Sequence, residues 1–360
     1  MIGVLGGGQL GRMLGLAGLR LGRRFCFLDP AADAPAAAVG NHIVAPFDDR
    51  AALDELASLC DVVTFEFENV PAASARRLDP DVPVYPPPQA LEAAQRRPEE
   101  KRWFEKLGIP TASFASATNS KELRNGLEHV GLPAIVKAAV GGYDGKGQRI
   151  VRDAIAAGDV WATIGAEEVI VERLVEFERE LSIIAVRSGR GKTAFYPLVE
   201  NHHRDGILRM SVSPAPDLSP ELQAEGEEIA YALLEALDYV GVLAVELFQT
   251  SGGLLANEMA PRVHNSGHFS IDASCCSQFE NHIRAISNLP LGSTEPVGRA
   301  TMFNLISGLP DIEALLRLEG LRVHLYDKQP RPGRKLGHVT LVDADDRSVD
   351  HVRRLLSEPM

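Results

Sequence analysis

The sequence predicts an α/β domain followed by α+β domains, three in all, and three observations carry that reading. At 360 residues the chain is too long for one core at about 100–200 residues per domain. Over the first hundred residues short apolar runs alternate with Ala/Leu/Arg-rich helical segments, the pattern of a doubly wound parallel sheet. After residue 110 the pattern changes to strands joined by glycine-rich turns.

Ile2–Leu5, Phe25–Leu28, His42–Val44 and Val62–Phe67 are the expected strands of the first unit, residues 1–100. Pro86-Pro87-Pro88 reads as a stiff connector, and a polar helical stretch from Gln89 to Leu107 leads to Gly108-Ile109-Pro110. Residues 101–188 read as a small α+β lid with strands at Ala134–Ala138, Gln148–Val151, Val169–Val171 and Leu181–Val186. Residues 189–360 read as a larger α+β domain, with helices across Glu221–Leu237 and Phe279–Ser287. It ends in a small β subdomain built on Val323–Tyr326 and Gly337–Val342.

Hydrophobic content of 45% and charged content of 24% are those of a globular protein able to bury a core. A formal charge of -12 with no long basic tract argues against nucleic acid as a partner. Any anionic phosphate must then be met by local cation or glycine clusters. Cys26 and Cys60 lie in apolar runs, Cys275 and Cys276 are adjacent, and no C-x-x-C spacing occurs, so neither disulfides nor zinc are expected. The opening strand lacks the features of a leader peptide, and no apolar run approaches the roughly 20 residues that span a bilayer. The expectation is a cytoplasmic protein that starts at Met1 and has no membrane partner.

Gly6-Gly7-Gly8-Gln9-Leu10-Gly11 satisfies G-x-G-x-x-G after a strand, and Asp29 closes the next strand. A dinucleotide fits this pattern, a substrate phosphate fits it equally, and glycines packing a helix onto a strand are the structural alternative. Lys137 interrupts the apolar strand Ala134–Ala138, where a bare ammonium is costly, so an anion should meet it. The segment from Gly141 to Gln148 follows with four glycines in eight residues, and with Lys137 it suits a nucleotide clamp. A flexible hairpin with Lys137 on an edge strand is the alternative. Past Val171, the connector's backbone could read an adenine edge and Glu180 could accept from ribose hydroxyls, although a solvated acidic strand end is commoner.

Val242–Phe248 and Leu254–Glu258 flank Ser251-Gly252-Gly253, which suits a three-residue hairpin loop. Pairing across that loop sets Glu246 opposite Glu258 on one face. Facing carboxylates repel unless a cation bridges them, and oxygen ligands of this kind are what Mg2+ prefers. The run Met259 to His268 that follows is dense in hydrogen-bond donors and reads as a site-lining, anion-binding loop.

These features together resemble the ATP-grasp superfamily and, within it, the N5-carboxyaminoimidazole ribonucleotide synthases. The strings that carry the resemblance are GGGQLGRM at Gly6, TFEFENVP at Thr64, GGYDGKGQ at Gly141, DGILRMSVSPAP at Asp205, NEMAPRVHNSGH at Asn257 and YDKQPRPGRKLGHV at Tyr326. They keep the family's order over essentially the whole chain. The resemblance implies the three-domain ATP-grasp architecture, with an N-terminal doubly wound parallel-sheet domain. It also implies ATP with Mg2+, 5-aminoimidazole ribonucleotide and bicarbonate as small-molecule substrates, and a homodimer.

By position in the family pattern the resemblance gives ATP contacts to Arg97, Lys137, the loop Gly142, Tyr143, Asp144, Gly145, Lys146, Gly147 and Gln148, and to Glu172, Arg173, Leu174, Val175, Glu180, His203 and Asn257. Glu246 and Glu258 would hold magnesium. Gln9, Leu10, Arg331, Arg334 and Lys335 would surround the substrate phosphate, with Asn265 and Ser266 on the substrate. Glu66, Tyr143, Asp144, Lys146, Arg262, His264 and Lys328 would line the reacting end. Two details depart from the pattern: Lys146 stands where some members have arginine, and His202 precedes His203. The competing readings are another ATP-grasp ligase, such as a formate-dependent formyltransferase, and an NAD-binding oxidoreductase that would use only the Gly6–Gly11 motif.

Overall fold

A computed structural model describes residues 1–141, 147–153 and 157–356. The expected glycine-loop residues Gly142, Tyr143, Asp144, Gly145 and Lys146 lie outside the described residues.

The N-terminal strands form as expected. They are β1 (Ile2–Leu5), β2 (Phe25–Asp29), β3 (Asn41–Val44) and β4 (Val62–Phe65), all parallel in the order β3-β2-β1-β4. Their helices are α1 (Gln9–Leu19), α2 (Arg50–Leu59) and α3 (Ala72–Leu78). β1 and β4 are neighbours although two strands separate them in sequence, so the order reverses there and the turns after β1 and β4 open a crevice at the strand ends. Gln9 opens α1 directly after the first turn, and Glu66 sits on the second.

The stretch from Gln89 to Leu107 is two helices, α4 (Pro88–Gln95) and α5 (Arg97–Lys106), with Pro98 tolerated in the first turn of α5. The next unit is the antiparallel sheet β5-β8-β6-β7, formed by β5 (Phe114–Ala117), β6 (Ala134–Ala138), β7 (Gln148–Val151) and β8 (Val169–Arg173). Helices α6 (Ser120–Val130) and α7 (Ala157–Ile164) cover one face, where Val136, Val169 and Val171 meet Leu123 and Leu127. Alternation turns Ile135, Lys137 and Glu172 to the other face.

The remaining strands form one nine-stranded antiparallel sheet. Its members are β9 (Arg179–Arg187), β10 (Thr193–Phe195), β11 (Val199–Arg204), β12 (Ile207–Ser213), β13 (Gly241–Thr250), β14 (Gly253–Ala260), β15 (Ala300–Ile306), β16 (Leu321–Leu325) and β17 (Lys335–Val342). The order is β14-β13-β9-β11-β12-β15-β17-β16, with β10 on β9. The strand expected at Leu181–Val186 therefore belongs with this sheet and not with the lid strands. It is β9, buried through its six central residues and paired with β11 and β13, which a small lid could not provide. The terminal strand pair likewise joins this sheet through β15, while Phe303, Leu305, Leu321 and Val352 give it a core of its own.

Helix α8 (Pro220–Ala236) packs on the large sheet together with α4 and α5. The N-terminal domain docks on its other face through α10 (Gln278–Ile286), where Leu10, Met13 and Leu14 of α1 share a core with Val186, Val242, Phe279 and Ile283. His282 of α10 ties the two sheets, 2.9 Å from Thr64 Oγ1 and accepting from Val242 N at 3.1 Å. The short helices α9 (Ser270–Ala273), α11 (Ile312–Leu316) and α12 (Asp346–Leu355) complete the chain. Among the described residues no helix is long and apolar enough to cross a membrane.

Candidate functional site

A single cavity of about 1360 Å³ runs from the crevice of the parallel sheet, past β13 and β14, to the uncovered face of the lid sheet. At the crevice, carboxylates occupy three amides of the glycine motif. Asp29 accepts from Gly7 N at 2.7 Å, and Glu66 accepts from Gly8 N at 2.8 Å and from Gly11 N at 2.9 Å. Glycine at position 8 is what admits Glu66, since a Cβ there would stand 2.5 Å from its Oε1. These bonds leave little for a dinucleotide pyrophosphate, which would need the same amides. Burial pushes the Glu66 carboxyl above its usual range, and the amides of Gly11 and Gly8 oppose that.

Gln9 and Leu10 stay on the cavity wall, and Lys328 donates to Gln9 Oε1 at 2.8 Å. Arg331, Arg334 and Lys335 line the same end, so four cations meet a helix N-terminus there. Burial, then Arg334, lowers the Lys328 ammonium to about 8.

On the lid, Lys137 lies on an inner strand, and its Nζ donates to Glu172 Oε2 at 2.8 Å, with both side chains nearly buried. Glu172 is thus the anion that meets the strand lysine. Burial raises its carboxyl, but Lys137, Lys101 and Arg97 outweigh that and hold it below the usual range. Gly147, Gln148, Arg173, Leu174, Val175, Glu180 and His203 also line this end. A bulge between His202 and His203 in β11 separates the two histidines: His203 Nδ1 lies 2.7 Å from Glu180 Oε2 in the cavity, while His202 is half exposed beside Glu200. Phe177 and Phe248 stack at 4.8 Å and add an apolar wall that no sequence signal marked.

Between the two ends, Glu246 and Glu258 are cross-strand partners. The route to that pairing differs from the expected one. The hairpin loop is two residues long, with Thr250 opposite Gly253, and a bulge after Leu247↔Ala256 takes up Asn257 and restores Glu246↔Glu258. Burial and then the charge of Glu258 push Glu246 up, whereas Arg97, whose Nη1 is 2.8 Å from Glu258 Oε2, overcomes burial and draws Glu258 down. Two oxygen-donor groups that repel in this way fit a divalent ion of the Mg2+ type, with the remaining positions left to waters and phosphates.

His264 Nε2 lies 3.3 Å from Glu246 Oε1, and its Nδ1 accepts from Ser266 N, so the hydrogen-bond pattern assigns the proton to Nε2. Burial, Arg262 and Lys335 depress it to about 3, which leaves a neutral donor at neutral pH. Arg262 reaches across to Glu68 of the N-terminal domain. Asn257 and Asn265 line the cavity, the latter in a mutual amide pair with Asn304 at 2.8 and 3.0 Å. Ser266 is apart from the others: it is fully buried behind the wall, bonded to Ser182 at 2.7 Å and to His264.

Elsewhere, Asp272, His324 and His338 form a cluster of metal-ligand type. The rings of His324 and His338 stack at 4.4 Å with 13° between planes, so their in-plane lone pairs cannot converge on one ion. The cluster is a ring stack in which His338 Nδ1 lies 2.7 Å from the Tyr326 hydroxyl and His324 Nε2 lies 2.8 Å from Asp272 Oδ2.

Residues 1–95 match the ribonucleotide synthetase preATP-grasp domain, 102–279 the ATP-grasp domain, and 300–352 the phosphoribosylaminoimidazole carboxylase C-terminal domain. The chain is 48% identical over 344 residues to the N5-carboxyaminoimidazole ribonucleotide synthase of Pseudomonas aeruginosa, covering 96% of this chain and 95% of that one. It superposes on the crystal structure of N5-carboxyaminoimidazole ribonucleotide synthetase from Thermus thermophilus with a TM-score of 0.96 and 50% identity, over 100% and 99% of the chains. A third relative, from Aspergillus clavatus and solved in complex with ADP and 5-aminoimidazole ribonucleotide, gives a TM-score of 0.91 and 32% identity over 99% and 97%. The chain belongs to the N5-carboxyaminoimidazole ribonucleotide synthase family of ATP-grasp enzymes.

Proposed function

We propose that the chain joins bicarbonate to the exocyclic amine of 5-aminoimidazole ribonucleotide at the expense of ATP, releasing ADP and phosphate, in purine biosynthesis. The observation that carries the reading is the continuity of the cavity: Lys137 lies at one end, the opposed acids lie midway, and the other end of the same space holds Gln9, Lys328 and Arg331.

Bicarbonate is a weak electrophile, so its carbon must be activated first. A bicarbonate oxygen attacks the γ-phosphorus, the bond to the ADP oxygen breaks, and carboxyphosphate forms. The amine then attacks the carbonyl carbon, phosphate leaves, and the amine gives up a proton. Glu246 and Glu258 would hold Mg2+, which would supply neutralising charge to the phosphates. Lys137 adds a fixed positive charge near the nucleotide, and Glu172 holds that ammonium in place. Neutral His264, with Nε2 3.3 Å from Glu246 Oε1, packs beside that carboxylate and limits its orientation. At the other end the cations around Lys328 anchor the ribonucleotide phosphate, which lets remote binding energy place the amine. Asp144, expected at the reacting end, lies outside the described residues.

A homodimer comes with the family resemblance alone, and sedimentation tests it. The central test is ADP formation with the ribonucleotide and bicarbonate supplied singly and together. The expected result is a strong rise only with both. Equal stimulation by formate in place of bicarbonate would transfer the reading to a formyltransferase, and an unchanged rate with the ribonucleotide would reject that substrate.

A further inference from the structure

The pairing of Glu246 with Glu258 exists only because Asn257 is the extra residue of a bulge. Continued regularly from Leu247↔Ala256, the ladder would set Asn257 against Glu246. It would set Glu258 against Val245, whose side chain packs in the core on the opposite face. One residue of slip thus decides whether Glu258 belongs to the cavity. A bulge leaves backbone groups without ladder partners, and β14 is the edge strand of its sheet, so those groups must be satisfied from outside.

Helix α5 satisfies them. Lys101, 1% exposed, donates from Nζ to Asn257 O at 2.7 Å and to Ala256 O at 3.3 Å. In a regular strand consecutive carbonyls point to opposite edges, so two of them reaching one ammonium marks the bulge. Thr111 braces the same place: its Oγ1 accepts from Lys101 at 2.9 Å and contacts Ala256 O at 2.7 Å, while Pro110 O accepts from Ala256 N. Glu100, 2% exposed, accepts from Met259 N on the far side of Glu258. One turn earlier Arg97 reaches the Glu258 carboxylate itself. Positions 97, 100 and 101 share one helical face and together grip residues 256 to 259. An ammonium this deep is costly, and an apolar side chain would fill the space. Its bonds to the bulge carbonyls are what it contributes instead.

We propose that Lys101 and Glu100 are positioning residues for the nucleotide step: by fixing the bulge at Asn257 they turn Glu258 onto the face of Glu246, and so set the affinity for the divalent cation. The proposal rests on the reading of Glu246 and Glu258 as the cation-binding pair. Lys101 touches no part of the cavity wall and acts through the backbone of β14.

The test measures Mn2+ binding to the full chain with ADP by paramagnetic resonance, alongside the Mg2+ dependence of ADP formation and the KM for 5-aminoimidazole ribonucleotide. Lys101→Met keeps most of the stem, and partners behind a metal ligand typically affect affinity 10–100-fold. The expected result is an increase of about tenfold or more in the Mn2+ Kd and in the Mg2+ for half-maximal rate. KM for the ribonucleotide should stay within about twofold. Thr111→Val, a milder change that replaces only the hydroxyl with a methyl, should shift both cation readouts in the same direction by a smaller factor, and it serves if Lys101→Met does not fold. Wild-type Mn2+ affinity in either folded variant would overturn the proposal, as would equal losses in cation affinity and ribonucleotide KM. Glu258→Gln is measured beside them: unaltered Mn2+ binding there would reject the cation-pair reading itself, whatever the other variants do.

Discussion

Replacing Glu66 with glutamine probes how the ribonucleotide end is built. Both Glu66 oxygens accept backbone amides, from Gly8 at 2.8 Å and Gly11 at 2.9 Å, so the loop is built around a group that accepts on both sides. Glutamine offers one oxygen and one NH2, and whichever way it turns, a donor faces a donor. The change removes one charge-assisted hydrogen bond at a site 6% exposed, a cost of about 1.5–3 kcal/mol. That cost falls on the turn carrying Gln9, the partner of Lys328, and not on the lid. If it appears as lost ribonucleotide affinity, KM for 5-aminoimidazole ribonucleotide rises by about tenfold to a hundredfold, at tenfold per roughly 1.4 kcal/mol. KM for ATP should change little. The assay is steady-state ADP release with each substrate varied at saturating levels of the other, with thermal melting to confirm folding. A ribonucleotide KM within about twofold of wild type, or an equal rise in both KM values, refutes this account of the glycine motif.

Three further outcomes follow from the same geometry. Gly8→Ala places a Cβ 2.5 Å from Glu66 Oε1 and must displace the same carboxylate, so it should mimic Glu66→Gln in ribonucleotide KM, and a normal KM would show that the turn can yield. Lys328 is charged below about 8 and loses that charge as pH rises, in a surround of Arg334, Glu66, Arg331 and Lys335. Ribonucleotide KM should therefore climb between about pH 7 and 9, and Lys328→Met should flatten that climb; an identical profile in the variant would assign the titration elsewhere. Glu258→Gln should still fold, as far-UV circular dichroism would show, yet lose most ADP formation, and near-normal turnover would discredit the opposed acids as the cation site.

Much of this molecule was legible because alternation and glycine placement are local signals. The four parallel strands, the lid strands β6 to β8 and the hairpin of β13 and β14 all announce themselves in runs of apolar residues between turns. Lys137 illustrates how far such a signal reaches: a charge in an apolar strand implied an anionic partner, but which one depended on strand order, and only the pairing of β6 with β8 brings Glu172 beside it. The strand expected at Leu181–Val186 falls outside the lid for the same reason, since its own residues say that it is buried without saying between which neighbours.

The opposed glutamates show the limit most clearly. A three-residue loop and a regular ladder predict Glu246 opposite Glu258, and so do a two-residue loop and a bulge at Asn257, because the two differences cancel. The pairing could thus be inferred from spacing while its cause could not. That cause is non-local: the extra residue is stabilised by Lys101 and Glu100, more than 150 residues earlier, through bonds to backbone atoms that leave no mark in the local pattern of β14. The same distance explains why two charged residues in a helix that reads as polar and solvated turn out to be among the most deeply buried in the chain. An i, i+3, i+4 set of Arg, Glu and Lys on a short helix is ordinarily a surface feature, and only an edge strand with unsatisfied carbonyls and amides makes it an interior one. The chemistry at Glu258 therefore depends on the sequence of α5 as directly as on that of its own strand.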